Sequence, residues 1–196
     1  MVPWARVGQS EYLSLDLRAH TILKDIPIHD VWRLDLPGGG AGRTVSDVRA
    51  LLKANQPDGI VRLLFSARWL LGRLFGWDRK SAENGGLFQH RITEADKTLS
   101  TVAPGTKEGP FTVLYVHSVE AMTEIRNRTV HAALVWVVFP RAGGYRLLWA
   151  IYVKPVGRIT ALYMLLIEPF RRWIVYPSLL RQLYHSWRIT YNSSTP

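Results

Sequence analysis

The side chains able to move protons or hold a metal are few and scattered. The histidines are His20, His29, His90, His117, His131 and His185. No pair of them has the close helical spacing of a metalloprotease motif, and there is no cysteine to complete a zinc site. His117 and His131 fall on different expected strands, where they could approach each other, although a hydrogen-bonded histidine is the more ordinary reading. The acids of the apolar C-terminal half are Glu120, Glu124 and Glu168. Glu168 stands apart, in an aromatic segment beside Arg171 and Arg172. An ion pair with Arg172 or Arg158 is its structural reading, and a polar group at a cavity mouth is its functional one. The run Gly38-Gly39-Gly40-Ala41-Gly42-Arg43-Thr44 has the look of a phosphate loop. Pro37 takes the place of that motif's first glycine, however, and Arg43 the place of its lysine, so a strand-to-helix loop is the better reading. No catalytic residue, metal or cofactor is expected.

These groups need elements to position them. Ile28 to Leu36 partly alternates and reads as a strand. Thr44 and Asp47 open a helix that turns Val48, Leu51 and Leu52 inward. A second helix, Gly59 to Gly76, carries Ile60, Leu63, Leu64, Ala67, Leu70 and Leu71 at the helical period. Residues 86–92 are expected as a strand and residues 101–110 as a loop rich in glycine and proline. Strands follow at Phe111–His117, Val119–Arg126, Thr129–Phe139 and Tyr145–Val153. The third of these is apolar on both faces, as for a central strand covered on both sides. In the fourth, Tyr145, Leu147, Trp149, Ile151 and Val153 face one way. From Ile159 to Trp187 one long helix is expected, with Pro169 and Pro177 kinking or dividing it. The lead-in at 1–20 is expected to be irregular apart from one short helix around Ser10–Ala19, and 188–196 to be a frayed tail.

Composition bounds the function. At 196 residues and 47% hydrophobic content the chain suits a single folded domain, 1–196. The absence of cysteine excludes disulfides and thiolate chemistry. No signal peptide is read in the first residues, and no apolar run reaches the roughly 18 residues of a spanning helix, so a cytoplasmic location is expected. Net charge is +10, and residues 141–196 hold eight Arg or Lys against the single acid Glu168. A field of that sign attracts anions, although a solvated basic face is the commoner explanation.

The strings Glu124-Ile125-Arg126-Asn127-Arg128-Thr129-Val130-His131, Gly144-Tyr145-Arg146, Tyr163-Met164 and Glu168-Pro169-Phe170-Arg171-Arg172-Trp173-Ile174-Val175-Tyr176-Pro177 resemble a bacterial family catalogued as domain of unknown function 2867. His29-Asp30-Val31-Trp32 and Leu71-Gly72-Arg73-Leu74-Phe75-Gly76-Trp77-Asp78 fit the same resemblance, which covers roughly residues 20–187. That family in turn is similar to the helix-grip superfamily of lipid-transfer, polyketide-cyclase-like and hormone-binding proteins. The resemblance implies an α+β fold: an antiparallel β-sheet curved around a long C-terminal helix, two shorter helices after the first strand, and a cavity between sheet and helix.

The expected function is binding of a hydrophobic small molecule or lipid in that cavity. Trp69, Trp136, Trp149, Tyr152, Tyr163 and Trp173 are the candidate lining. His131, Arg158, Tyr163 and Glu168 are the candidate orienting groups. One alternative is an enzyme of cyclase, dehydratase or hydrolase type using the same cavity. Another is a weak contact with anionic membrane through Arg171, Arg172, Arg181 and Arg188. No specific nucleic-acid partner is expected, because the strands are too apolar to act as a stacking platform.

Overall fold

A computed structural model describes residues 2–54, 87–126, 130–155, 164–165 and 167–192. Its frame is a curved antiparallel sheet of seven strands in the order β1-β2-β7-β6-β5-β4-β3. The strands are β1 (Trp4–Arg6), β2 (Ile28–Pro37), β3 (Lys107–Glu108), β4 (Phe111–Val116), β5 (Glu120–Arg126), β6 (His131–Arg141) and β7 (Gly144–Lys154). The five longer ones sit where alternation and β-branched residues placed them. β6 and β7 are joined by a tight hairpin, with Arg141 opposite Gly144. A Cβ at Gly144 would lie 2.1 Å from the Leu36 carbonyl oxygen, so only glycine lets β2 pass this close to the turn.

Both faces of the sheet are covered. On β6, Ala132, Trp136 and Val138 point to one face while His131, Ala133, Val135 and Val137 point to the other. β7 divides in the same way, with Leu147, Trp149 and Ile151 opposite Leu148, Ala150 and Tyr152. The first face packs against α3 (Val45–Ala54) and the C-terminal helix. That helix runs from Ile167 through a π-helical turn (Arg171–Val175) into α5 (Tyr176–Trp187), with a further π-turn at Arg188–Asn192. Tyr176, Leu180, Leu183 and Trp187 recur at steps of four, three and four, which aims one stripe at the sheet. The other face is covered by α1 (Ser10–Leu13), α2 (Arg18–Ile22), a 3-10 turn (Phe88–Arg91) and α4 (Glu94–Leu99).

The second cover is fastened by carboxylates of β5. Glu120 accepts hydrogen bonds from the backbone N–H groups of Arg18 at 2.7 Å and Ala19 at 3.4 Å, at the start of α2. Glu124 accepts from the N–H groups of Phe88 at 2.8 Å and Gln89 at 3.4 Å. Each carboxylate satisfies amide donors that a helix start leaves without an internal partner. Asp96 closes a capping box with Thr93 at α4 and holds the Arg18 guanidinium at 2.7 Å. Glu120 and Glu124 of β5 are thus both buried and hydrogen-bonded.

Several local expectations change. Residues 88–91 form a 3-10 turn rather than a strand, because the Phe88 N–H bonds to Glu124 and not to a neighbouring strand. The expected loop at 101–110 contributes the short edge strand β3, paired with β4. The lead-in supplies β1, paired with β2, and two helices instead of one. Pro169 and Pro177 do not end the C-terminal helix. Pro177 is the second residue of α5, directly after the π-helical turn that lies between the two prolines and interrupts the regular helix there. Residues 188–192, expected to fray, stay helical. The helix expected at 59–76 lies outside the described residues.

Candidate functional site

Three tryptophans stand in one row across the sheet. The strand register sets Trp32 of β2 opposite Trp149 of β7, and Trp149 opposite Trp136 of β6. All three point toward the C-terminal helix and are buried. Trp136 and Trp149 stack in parallel, 4.4 Å between centroids and 10° between planes. Tyr176 of α5 meets Trp32 at 5.4 Å and Trp149 at 4.7 Å, edge to face in both cases. The indole N–H groups of Trp32 and Trp149 are buried and have no hydrogen-bond partner among the described residues. Leaving a buried N–H unsatisfied costs about 1–3 kcal/mol, so two such donors on directly paired residues call for a reason.

Tyr176 links this row to a polar cluster at the start of β2. A β-bulge between Ile28 and Asp30 interrupts the β2–β7 register. It re-aims the chain so that His29 and Asp30, neighbours in sequence, both reach the C-terminal helix. His29 Nε2 lies 3.0 Å from Glu168 Oε2 and 3.5 Å from Asp30 Oδ2. Arg6 of β1 pairs with the buried Asp30. Arg171 stands 3.8 Å from each carboxylate, and its Nε donates to the Tyr176 hydroxyl at 2.5 Å. Burial works against the charge of Glu168, but the hydrogen bond from His29 and the positive charges of His29, Arg171 and Arg6 outweigh it and hold the carboxyl below its usual range. Burial raises the Tyr176 phenol to about 12 despite Arg171, so it remains a neutral hydrogen-bonding group.

His29, Asp30 and Glu168 bring ligand atoms within 4.8 Å of one another, close enough to suggest a cation. Two guanidiniums already balance the two carboxylates, and a dication would have to displace them. The geometry suits an ion network that clamps the C-terminal helix to β2. It also sets a polar end beside the aromatic row.

The residues nominated from sequence divide among several places. Trp136, Trp149 and Glu168 lie on the helix side of the sheet. Glu168 pairs with His29 and Arg171 rather than with Arg172. His131 and Tyr152 lie on the opposite face. There His131 Nε2 meets Glu124 Oε1 at 2.5 Å and stacks on Phe88 at 3.9 Å, while the Tyr152 hydroxyl donates to that of Tyr12 at 3.2 Å. Trp173 is 74% exposed, on the outer side of the helix beside Arg172. Trp69, Arg158 and Tyr163 lie outside the described residues. His117 and His131 sit at opposite ends of β5, about 20 Å apart by strand rise. The residues that sequence reading did not nominate are Trp32, Tyr176, His29, Asp30 and Arg6, while Arg171, expected at a membrane contact, turns inward to Asp30, Glu168 and Tyr176. Most of them belong to the two strings quoted above, His29 to Trp32 and Glu168 to Pro177, which the fold brings into contact.

A family model described as "Protein of unknown function (DUF2867)" matches residues 22–178. No curated protein and no solved structure matches the chain.

Proposed function

This chain belongs to the family described as Protein of unknown function (DUF2867), and we propose that it binds a small, largely apolar molecule bearing a hydrogen-bond acceptor, between the tryptophan row and the C-terminal helix. In this reading the protein is a cytoplasmic relative of the helix-grip binders, with a second cover on the far side of the sheet. The observation that carries the reading is the pair of buried indole N–H groups of Trp32 and Trp149, which have no partner among the described residues. A carbonyl or carboxylate oxygen would satisfy them, and the aromatic rings would supply apolar contact. The Arg171–Tyr176 pair would orient the ligand's polar end, and Trp136 would extend the flat surface. A cyclase- or dehydratase-type activity is the second reading. The observation that favours it is the His29–Glu168 pair, half-buried at 3.0 Å, a geometry suited to proton transfer.

The test is native mass spectrometry of the purified protein followed by organic extraction. A near-stoichiometric apolar molecule is expected. Trp32→Phe and Trp149→Phe replace each indole with a smaller aromatic ring and remove the donors, and each is expected to weaken retention of that molecule about tenfold. A ligand-free wild type, or unchanged retention in both variants, would overturn the proposal. Loss of ligand turnover with intact retention in His29→Gln would favour the enzymatic reading.

A further inference from the structure

We infer that the outer face of the C-terminal helix docks on an anionic lipid bilayer, lying in the plane of the interface. The inference is independent of the ligand proposed above. Four arginines and no acid occur in residues 169–196. The inward stripe of the helix is used up against the sheet by Tyr176, Leu180, Leu183 and Trp187. Its outward side keeps large apolar groups in water: Leu165 at 72% exposure, Trp173 at 74% and Ile189 at 73%, with Phe170 half exposed. Between them stand Arg172, Arg181 and Arg188, all exposed. The acid of this stretch, Glu168, turns inward to His29 and Arg171 and takes no charge away from the outer side.

Leucine, phenylalanine and tryptophan projecting beside arginines form the composition of an interfacial helix, in which rings enter the acyl boundary while guanidiniums stay at head-group level. Arg172 lies over the Trp173 ring at 5.8 Å, so cation and aromatic would reach the interface together. A nucleic acid would use the arginines but gain little from Leu165 and Ile189, whereas a bilayer uses both sets. No helix among the described residues is long and apolar enough to cross a membrane.

The test uses the full chain and sedimentation with large unilamellar vesicles of phosphatidylcholine, alone or with about 30% phosphatidylglycerol. Binding is expected to the anionic vesicles only, and to fall steeply between about 0.1 M and 0.5 M salt. Trp173→Asp and the double variant Arg172→Glu/Arg181→Glu are each expected to lower the bound fraction about tenfold without changing the melting temperature, while Lys24→Glu on the far cover leaves it unchanged. No binding by wild type would overturn the inference, as would binding that survives both outer-face changes. Binding that depends on the arginines but not on Trp173, and that RNA competes away, would also overturn it and assign the face to nucleic acid.

Discussion

Arg171 donates from Nε to the hydroxyl of Tyr176 at 2.5 Å, and through this contact the charged and aromatic parts of the molecule share one residue. The Tyr176 ring closes on Trp32 and Trp149, while the Arg171 guanidinium stands near Asp30 and Glu168. The π-helical turn Arg171–Val175 is what sets the two side chains at this separation. An extra residue in one helical turn rotates the segment before it relative to the stripe that follows. Arg171 is thereby directed at β2 while Tyr176, Leu180, Leu183 and Trp187 continue into the core.

Tyr176→Phe keeps the ring and removes the acceptor. A loss of about 0.5–2 kcal/mol is expected in urea melts, against about 3–5 kcal/mol for Tyr176→Ala. The phenylalanine variant also has an alkaline signature. Burial raises the folded phenol to about 12 from the ordinary 10.0. The stability it contributes is whole below the unfolded value near 10 and is lost as pH rises toward 12. Wild type is therefore expected to weaken across that window more steeply than Tyr176→Phe.

Gly39 should be among the least replaceable positions of the β2–α3 loop. Its φ is +96°, and a Cβ there would meet Trp187 Cζ2 at 2.7 Å and Tyr145 at 3.3 Å. Trp187 is fixed in turn by its indole N–H, which donates to the Pro37 carbonyl at 2.9 Å. Gly39→Ala adds backbone strain of about 1–3 kcal/mol to a clash with a fully buried ring. A drop in melting temperature of several degrees is expected, whereas Gly8→Ala, with nothing within 4 Å, should change little.

The sheet was legible because its signals are local. β2 and β5 announce themselves by partial alternation and β4, β6 and β7 by runs of β-branched and aromatic residues, and the two-sided apolar pattern of β6 foretold a covered central strand. The same parity shows why the nominated site divides: His131 and Trp136 are an odd number of residues apart on one strand, and so are Trp149 and Tyr152, so members of each pair must face opposite sides. The 3-10 turn and the caps on Glu120 and Glu124 depend on contacts 35 to 102 residues apart, which no local pattern encodes. Glu168 was singled out, but its partner His29 is 139 residues away and comes within reach only through a bulge. The capping box Thr93 to Asp96 was readable and would have placed α4.

Acid should weaken the clamp at Glu168 in a defined direction. A carboxyl held below its unfolded value, about 4.5 here, contributes stability that is whole above that value and lost as pH falls through the folded one. Asp47 and Asp96, also held low, act in the same sense. Glu120 opposes them, because burial raises its pKa and protonation there relieves a cost as pH falls. Thermal melts from pH 7 to pH 3 are expected to decline below about pH 4.5, and Glu168→Gln to start a few degrees lower and decline less. Parallel curves for the two proteins would mean that the Glu168 cluster does not carry the acid sensitivity.

His131 gives a case in which stability and ligand retention should separate. It lies 2.5 Å from Glu124 with both side chains buried, and Glu124 also accepts the backbone N–H groups that begin the Phe88 turn. Replacing the imidazole with alanine removes a stacked ring from Phe88 and leaves a buried carboxylate with backbone donors alone. A cost of about 3–5 kcal/mol is expected, the range for breaking a buried pair from one side. His131→Gln keeps a donor near Glu124 and should recover part of it. Because the pair sits on the face away from the tryptophan row, the folded His131→Gln protein is expected to retain the same extracted molecule in the same amount as wild type. A folded variant that has lost the molecule would place His131 in the path of the ligand and count against a site on the helix side.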